Sequence, residues 1–143
     1  MPARAVTSES LGAWLVRASG ADPATKAHAA QGFAEVVTRC VRRSYRTDLV
    51  EEGQRVLLWV SGSEPDLPAG IHARGRTTGP AADGVMPVTL KPLRSPVLRS
   101  ELVNDPDLAA LEVIRMPAGS NPSYVTPAQL SALEAMCPEL LTA

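Results

Sequence analysis

An α+β fold, with a small curled β-sheet or barrel flanked by helices, is what the sequence predicts. Three observations carry that reading. Short apolar segments of strand character are separated by Gly/Pro turns and bracketed by one helical segment near each end. The run Gly53-Gln54-Arg55-Val56-Leu57-Leu58-Trp59-Val60-Ser61-Gly62 is dense in branched aliphatics between two glycines, as in a strand buried on both faces. No Gly-rich phosphate loop follows a strand, which argues against a doubly wound nucleotide fold.

Taken in order, Met1 to Leu11 reads as a flexible leader, and residues 12–143 as one domain, as suits a chain of 143 residues. Ala13 to Ala18 reads as a first strand, ended by Ser19-Gly20. Asp22-Pro23 is a helix start, with a capping carboxylate and a proline at the first helical position. Small residues at helical spacing carry that helix to about Ala34. Val36 to Val41 is either the end of the helix or a short strand, and its Val-Val-Thr favours the strand.

Arg39, Arg42, Arg43, Tyr45 and Arg46 follow, as a solvated charged face or as a cationic lip for a phosphate backbone with one stacking ring. Gly53 supplies a tight turn into the organising strand. Ser63 to Gly70, with two prolines and two acids, reads as a surface loop. Ile71, Ala73 and Gly75 alternate with His72, Arg74 and Arg76, the period of a half-buried strand. Gly75 marks a bulge, a bend or a close approach.

Val85 to Leu93 is a further strand, placed at an edge or broken because Pro87 and Pro92 lack an N–H. Val97 to Val103 holds a short helical turn, and Glu112 to Met116 reads as the last strand. The closing helix has the fullest local signals: Thr126 as cap, Pro127 as first residue and Gln129 completing a capping box. Leu130, Leu133 and Met136 or Cys137 form its buried stripe, until Pro138 stops it.

Composition narrows the function. The chain is 45% hydrophobic and 20% charged, as in a globular protein. A net charge of −1 argues against strong non-specific nucleic-acid affinity. The cations are nonetheless nearly all arginine, Lys26 and Lys91 being the lysines; arginine suits bidentate partners such as phosphate. Cys40 and Cys137 are far apart and read as buried free thiols. With His28 and His72 also separated, no zinc constellation forms, and no metal or organic cofactor is expected. No charged-then-apolar targeting segment and no membrane-length apolar run stands out, so a soluble, cytoplasmic protein without a membrane partner is the expectation.

Four segments resemble the EVE domain, a PUA-like group that includes the YTH domains. They are Ala13-Trp14-Leu15-Val16, Glu52-Gly53-Gln54-Arg55-Val56-Leu57-Leu58-Trp59, Ala69-Gly70-Ile71-His72-Ala73-Arg74-Gly75, and Ser120-Asn121-Pro122-Ser123-Tyr124-Val125-Thr126. Together, and in order, they cover most of the domain from Trp14 to Leu133. Arg17-Ala18-Ser19-Gly20 stands where the commoner pattern has Lys-Ser-Glu-Pro, so the resemblance is to a divergent branch. It implies a PUA-like β-barrel core with a concave pocket for a modified base, methylated or hydroxymethylated, in DNA or RNA. An aromatic wall would stack on the base while polar groups read its edge.

On that resemblance Trp14, Tyr45 and Trp59 are candidate pocket walls, each tryptophan being equally well core. Ser61 and Asn121 are candidate edge-reading groups, Asn121 also suiting a turn. Arg42, Arg43, Arg46, Arg74 and Arg76 are candidate phosphate contacts. An enzyme is not expected: His28 and His72 have no sequence-local nucleophile and carboxylate, and Glu101, Asp105 and Glu112 could form acid/base pairs but are of a kind that usually faces solvent. The alternatives are a protein-interaction or scaffold domain whose pocket its own side chains fill, and a small-molecule sensor or enzyme.

Overall fold

The computed structural model describes residues 6–7, 9–33, 38–41, 44–116 and 122–141. Its centre is a mixed sheet in the order β2-β5-β4-β3-β1-β6. The strands are β1 (Ala13–Ser19), β2 (Thr38–Cys40), β3 (Arg55–Glu64), β4 (Leu67–Thr77), β5 (Val85–Leu98) and β6 (Ser123–Val125). β1 runs parallel to β3, pairing Trp14 with Val56 through Ser19 with Ser61. The other pairings are antiparallel. Among the described residues no ladder joins β6 to β2, so the sheet is open rather than a closed barrel.

Helices cover it: α1 (Pro23–Ala30), the short α2 (Arg99–Leu102), α3 (Pro106–Ala109) and α4 (Glu112–Arg115), and α5 (Pro127–Met136). The pleat divides the interior into two layers. Ala13, Leu15, Leu57, Trp59, Ile71, Leu93 and Val97 pack with Leu102, Leu108, Leu111, Val113, Leu130 and Leu133 of the C-terminal helical half. On the opposite face Trp14, Val16, Val56, Leu58, Met86, Val88 and Leu90 pack with Val6, Phe33, Val41 and Val50. Strands sandwiched this way need apolar residues at consecutive positions, which explains the unalternating run Val56 to Val60.

The local signals at the helix ends hold. Asp22 accepts from Ala24 N at 2.9 Å. Thr126 and Gln129 exchange hydrogen bonds of 3.0 and 3.1 Å in a complete capping box. Gly53 turns into β3 at φ +85°. At Gly75 the close approach is realised: an added Cβ would lie 1.6 Å from the Thr89 carbonyl oxygen.

Other expectations are corrected. The 63–70 stretch is no loop: β3 continues to Glu64 and β4 starts at Leu67, leaving Pro65-Asp66 as the turn. Glu112 to Met116 is not a strand but α4 and its cap. β5 extends past Pro92 to Leu98; β2 covers only Val85 to Pro87, so most of β5 is an edge, as its prolines require. α1 stops at Ala30, with positive φ at Gly32 and Phe33. Val6, in the expected leader, is 3% exposed and belongs to the second layer.

Candidate functional site

The two tryptophans lie on opposite faces of the sheet. Trp14 is fully buried in one layer and Trp59 is 3% exposed in the other, so they share no wall. Alternation dictates this: from Trp14, β1 pairs in register with β3 starting at Val56, and Trp59 lies three residues farther on. Trp14 Nε1 donates to Gln54 Oε1 at 2.7 Å. Gln54 Oε1 also accepts from Glu51 N, and its Nε2 donates to Leu49 O. The indole is therefore bolted to the turn that introduces β3.

Tyr45 is half exposed, and its hydroxyl accepts from Val6 N at 2.9 Å. Ser61 Oγ donates to Ala18 O at 3.3 Å, tying β3 to β1. Asn121, Arg42 and Arg43 lie outside the described residues.

Arg46 is corrected as a phosphate contact. It is 6% exposed and makes a two-pronged ion pair with Glu112, Nη1–Oε1 2.6 Å and Nη2–Oε2 2.8 Å. Nη1 also donates to Pro122 O at 3.1 Å, and the guanidinium lies over the Tyr124 ring, 5.3 Å from its centroid. Ser123 Oγ donates to Glu112 Oε1 at 2.9 Å. Burial opposes the Glu112 charge, but hydrogen bonds from Arg46 and Ser123, with the fields of Arg46 and Arg115, outweigh it and hold the carboxyl below its usual range. The Glu112 hydrogen bond raises the Arg46 pKa against the cost of burial. Arg17, also in the field of Glu112, is lowered by burial. These contacts are structural: both terminal nitrogens of Arg46 are committed inside the fold.

Arg74 and Arg76 are brought together, and with partners the sequence reading missed. Across β3 and β4, Arg55 pairs with Arg76; across β4 and β5, Arg74 pairs with Lys91 and Arg76 with Thr89. All five alternate with second-layer positions, Val56, Ala73, Val88 and Leu90 among them, so they share the Leu57 and Trp59 face beyond its apolar part. Directly opposed like charges cost stability, so this is a site where the sheet tolerates repulsion.

Main-chain carbonyls of the Pro138–Leu141 turn fix two of the cations. Arg55 Nη1 donates to Leu140 O at 2.8 Å and meets Glu134 at 3.3 Å; Arg74 Nε donates to Glu139 O at 3.0 Å. The other two are exposed: Arg76, with one bond to Gly53 O at 2.9 Å, and Lys91. Between them runs an open groove of about 190 Å³, lined by Arg74, Gly75, Arg76, Thr89 and Lys91. At Gly75 the absent side chain lets the β4 and β5 backbones meet, since a Cβ there would strike the Thr89 carbonyl. The Glu139 carboxylate, held by Arg94 N at 2.9 and 3.1 Å, borders the same end of the sheet.

Lys91 and Thr89 could have been singled out by alternation against Leu90. Their pairing to Arg74 and Arg76 depends on register, which the sequence does not print. Among the described residues no group of three or more His, Cys, Asp or Glu side chains could hold a metal, and no helix is long and apolar enough to cross a membrane. His72 is buried with Nε2 2.6 Å from Pro68 O, Asp105 caps α3, and Glu101 accepts from Leu98 N.

No family model matches the chain, and no curated protein matches it significantly. Solved structures do match in fold. Rpa0253 from Rhodopseudomonas palustris is 20% identical, with a TM-score of 0.63 over 91% of this chain and 95% of its own. A hypothetical protein from Leishmania major is 14% identical, with a TM-score of 0.69 over 95% of this chain and 100% of its own. PSPTO5229 from Pseudomonas syringae is 14% identical, with a TM-score of 0.61 over 86% of this chain and 97% of its own. The fold is thus shared nearly end to end. None of these names carries an activity.

Proposed function

We propose that this chain is a nucleic-acid-binding module of PUA-like, EVE-type descent that engages a phosphate backbone with the Arg74, Arg76 and Lys91 face. The observation that carries the reading is the pairing of like charges across β3, β4 and β5 around an open groove. Opposed cations are unfavourable in a sheet on their own, and a bound anion relieves them. Guanidinium groups fixed by carbonyls add little ordering cost on binding. Base recognition, in this reading, rests on groups other than a tryptophan pair, with Tyr45 the candidate ring that remains open to solvent.

The test is titration with DNA and RNA oligonucleotides at low salt, with and without methylated or hydroxymethylated bases. Binding that falls at least tenfold in Arg76→Ala and Lys91→Ala supports the proposal. Equal binding by both variants defeats it. Discrimination between plain and modified bases would support the reader function specifically.

A second reading, a protein-interaction domain with a filled interior, is favoured by one observation. Both indoles are enclosed by side chains, on faces that do not communicate. Oligonucleotide titration separates the two, since an interaction domain shows no phosphate-dependent binding.

A further inference from the structure

We infer that the groove between β4 and β5 seats one terminal phosphate, the phosphomonoester end of a nucleic-acid strand. This rests on the nucleic-acid reading above and specifies its ligand. Three residues lining the groove hold donors that are uncommitted among the described residues. They are Thr89 with its hydroxyl, Lys91 with its ammonium, and Arg76, whose Nη1 is held by Gly53 O while Nε and Nη2 stay open. All three are exposed. Arg76 faces Thr89 across the ladder, and Lys91 lies two residues beyond Thr89 on the same face. These backbone positions are about 5 Å apart across the ladder and about 6.7 Å apart along β5. From there a guanidinium, a hydroxyl and an ammonium can close on the oxygens of a single tetrahedral anion.

The surroundings favour a strand's end over its interior. Beyond Lys91 on this face, Leu93 is buried in the core. The Pro138–Leu141 turn stands at that end: Glu139 O takes Arg74 Nε, and Arg94 N holds the Glu139 carboxylate. A second phosphate running on past Lys91 would meet that carboxylate and be repelled. On the β3 side Leu140 is buried beside Arg55, Arg74 and Arg76. At the opposite end Thr78, two residues beyond Arg76, is exposed and leaves the strand an exit. Charge agrees with this. Arg74 is engaged with the turn and contributes field rather than a hydrogen bond, and Arg55 is matched by Glu134. Arg74, Arg76 and Lys91 set against Glu139 leave a surplus of two positive charges. A phosphomonoester, close to doubly charged at neutral pH, meets that surplus; a singly charged phosphodiester does not.

The experiment is calorimetric titration of the full chain at low salt with ten-nucleotide oligothymidylates that differ only in their ends. One set carries hydroxyls at both ends, one a 5′-phosphate, one a 3′-phosphate, and one each of these phosphates as its methyl ester. A terminal phosphate at one end or the other is expected to raise affinity about tenfold or more over the hydroxyl-ended strand, as for an added charge-assisted contact. The methyl ester, left with one charge, should lose most of that gain. Arg76→Ala and Lys91→Ala should abolish it, and Thr89→Val should reduce it.

Equal binding of phosphate-ended and hydroxyl-ended strands, weakened alike in Arg76→Ala and Lys91→Ala, overturns the terminal seat alone. A gain that survives methyl esterification does the same. No binding by any strand, or binding that both alanine variants keep in full, overturns the nucleic-acid reading with it. Unchanged melting temperatures of the variants establish that a lost gain is a lost contact.

Discussion

Replacing Glu112 with glutamine tests the account of the interior most sharply. The carboxylate receives two prongs from Arg46 and one from Ser123, and the ionic side chains are 8% and 9% exposed. Glutamine keeps the volume but leaves Arg46 charged, with one acceptor on residue 112 where it had two. Breaking a buried pair from one side costs about 3–5 kcal/mol, because the remaining charge is stranded. For a domain stable by roughly 5–15 kcal/mol that is a large share. Urea denaturation of wild type and Glu112→Gln should show the loss as a fall in midpoint at unchanged slope.

The pH dependence supplies the control. The folded pKa of Glu112 is depressed, so its contribution is present above the unfolded value near 4.3 and is lost as pH falls through the folded value. Wild type should therefore lose this increment in acid, and Glu112→Gln should lack that part of the pH dependence. The double variant Arg46→Met, Glu112→Leu should recover much of the loss, since no charge is left buried. A single-variant loss below about 1 kcal/mol, the range of exposed pairs, would refute the claim that this pair is buried and structural.

Further expectations concern the same elements. Gln54→Ala should cost about 1–3 kcal/mol by leaving the buried Trp14 N–H without its acceptor, and tryptophan fluorescence should report the changed environment. Trp59→Ala should cost about 3–5 kcal/mol in denaturant titrations through the cavity it opens. Thr126→Ala should lower stability by about 1 kcal/mol through loss of the α5 cap, read as a small drop in melting temperature. Gly75→Ala should be strongly destabilising, because the new methyl meets the Thr89 backbone, and should widen the groove in whatever fraction folds. Its oligonucleotide affinity, compared with Lys91→Ala, checks the second point.

Much of the fold was legible because it rests on local chemistry. Asp22-Pro23 and Thr126-Pro127 place helix starts through groups within three residues, and both starts are found. The dense run at Val56 to Val60 predicts a strand covered on both faces, and two core layers cover it. Failures fall where tertiary context decides. The Glu112 to Met116 stretch carries branched residues that suit a strand, yet it folds as one helical turn with Glu112 reaching Arg46 from sixty-six residues away. Pro65 and Pro68 suggest a long loop, but they sit at and just beyond a two-residue turn. The cationic groove was half legible. Arg74 and Arg76 show by alternation, while Lys91 and Thr89 join them only once the register of β4 against β5 is known.

The prolines of β5 bear on how the molecule behaves among copies of itself. Beyond the short cover of β2, this fourteen-residue strand is a boundary of the sheet among the described residues. Pro92 and Pro96 interrupt its row of amide donors, and the charged Lys91 and Arg94 stand beside them. A neighbouring chain attempting to extend the sheet there would find no continuous ladder to zip onto. The same segment can therefore keep a long exposed margin without becoming a template for stacking into fibres.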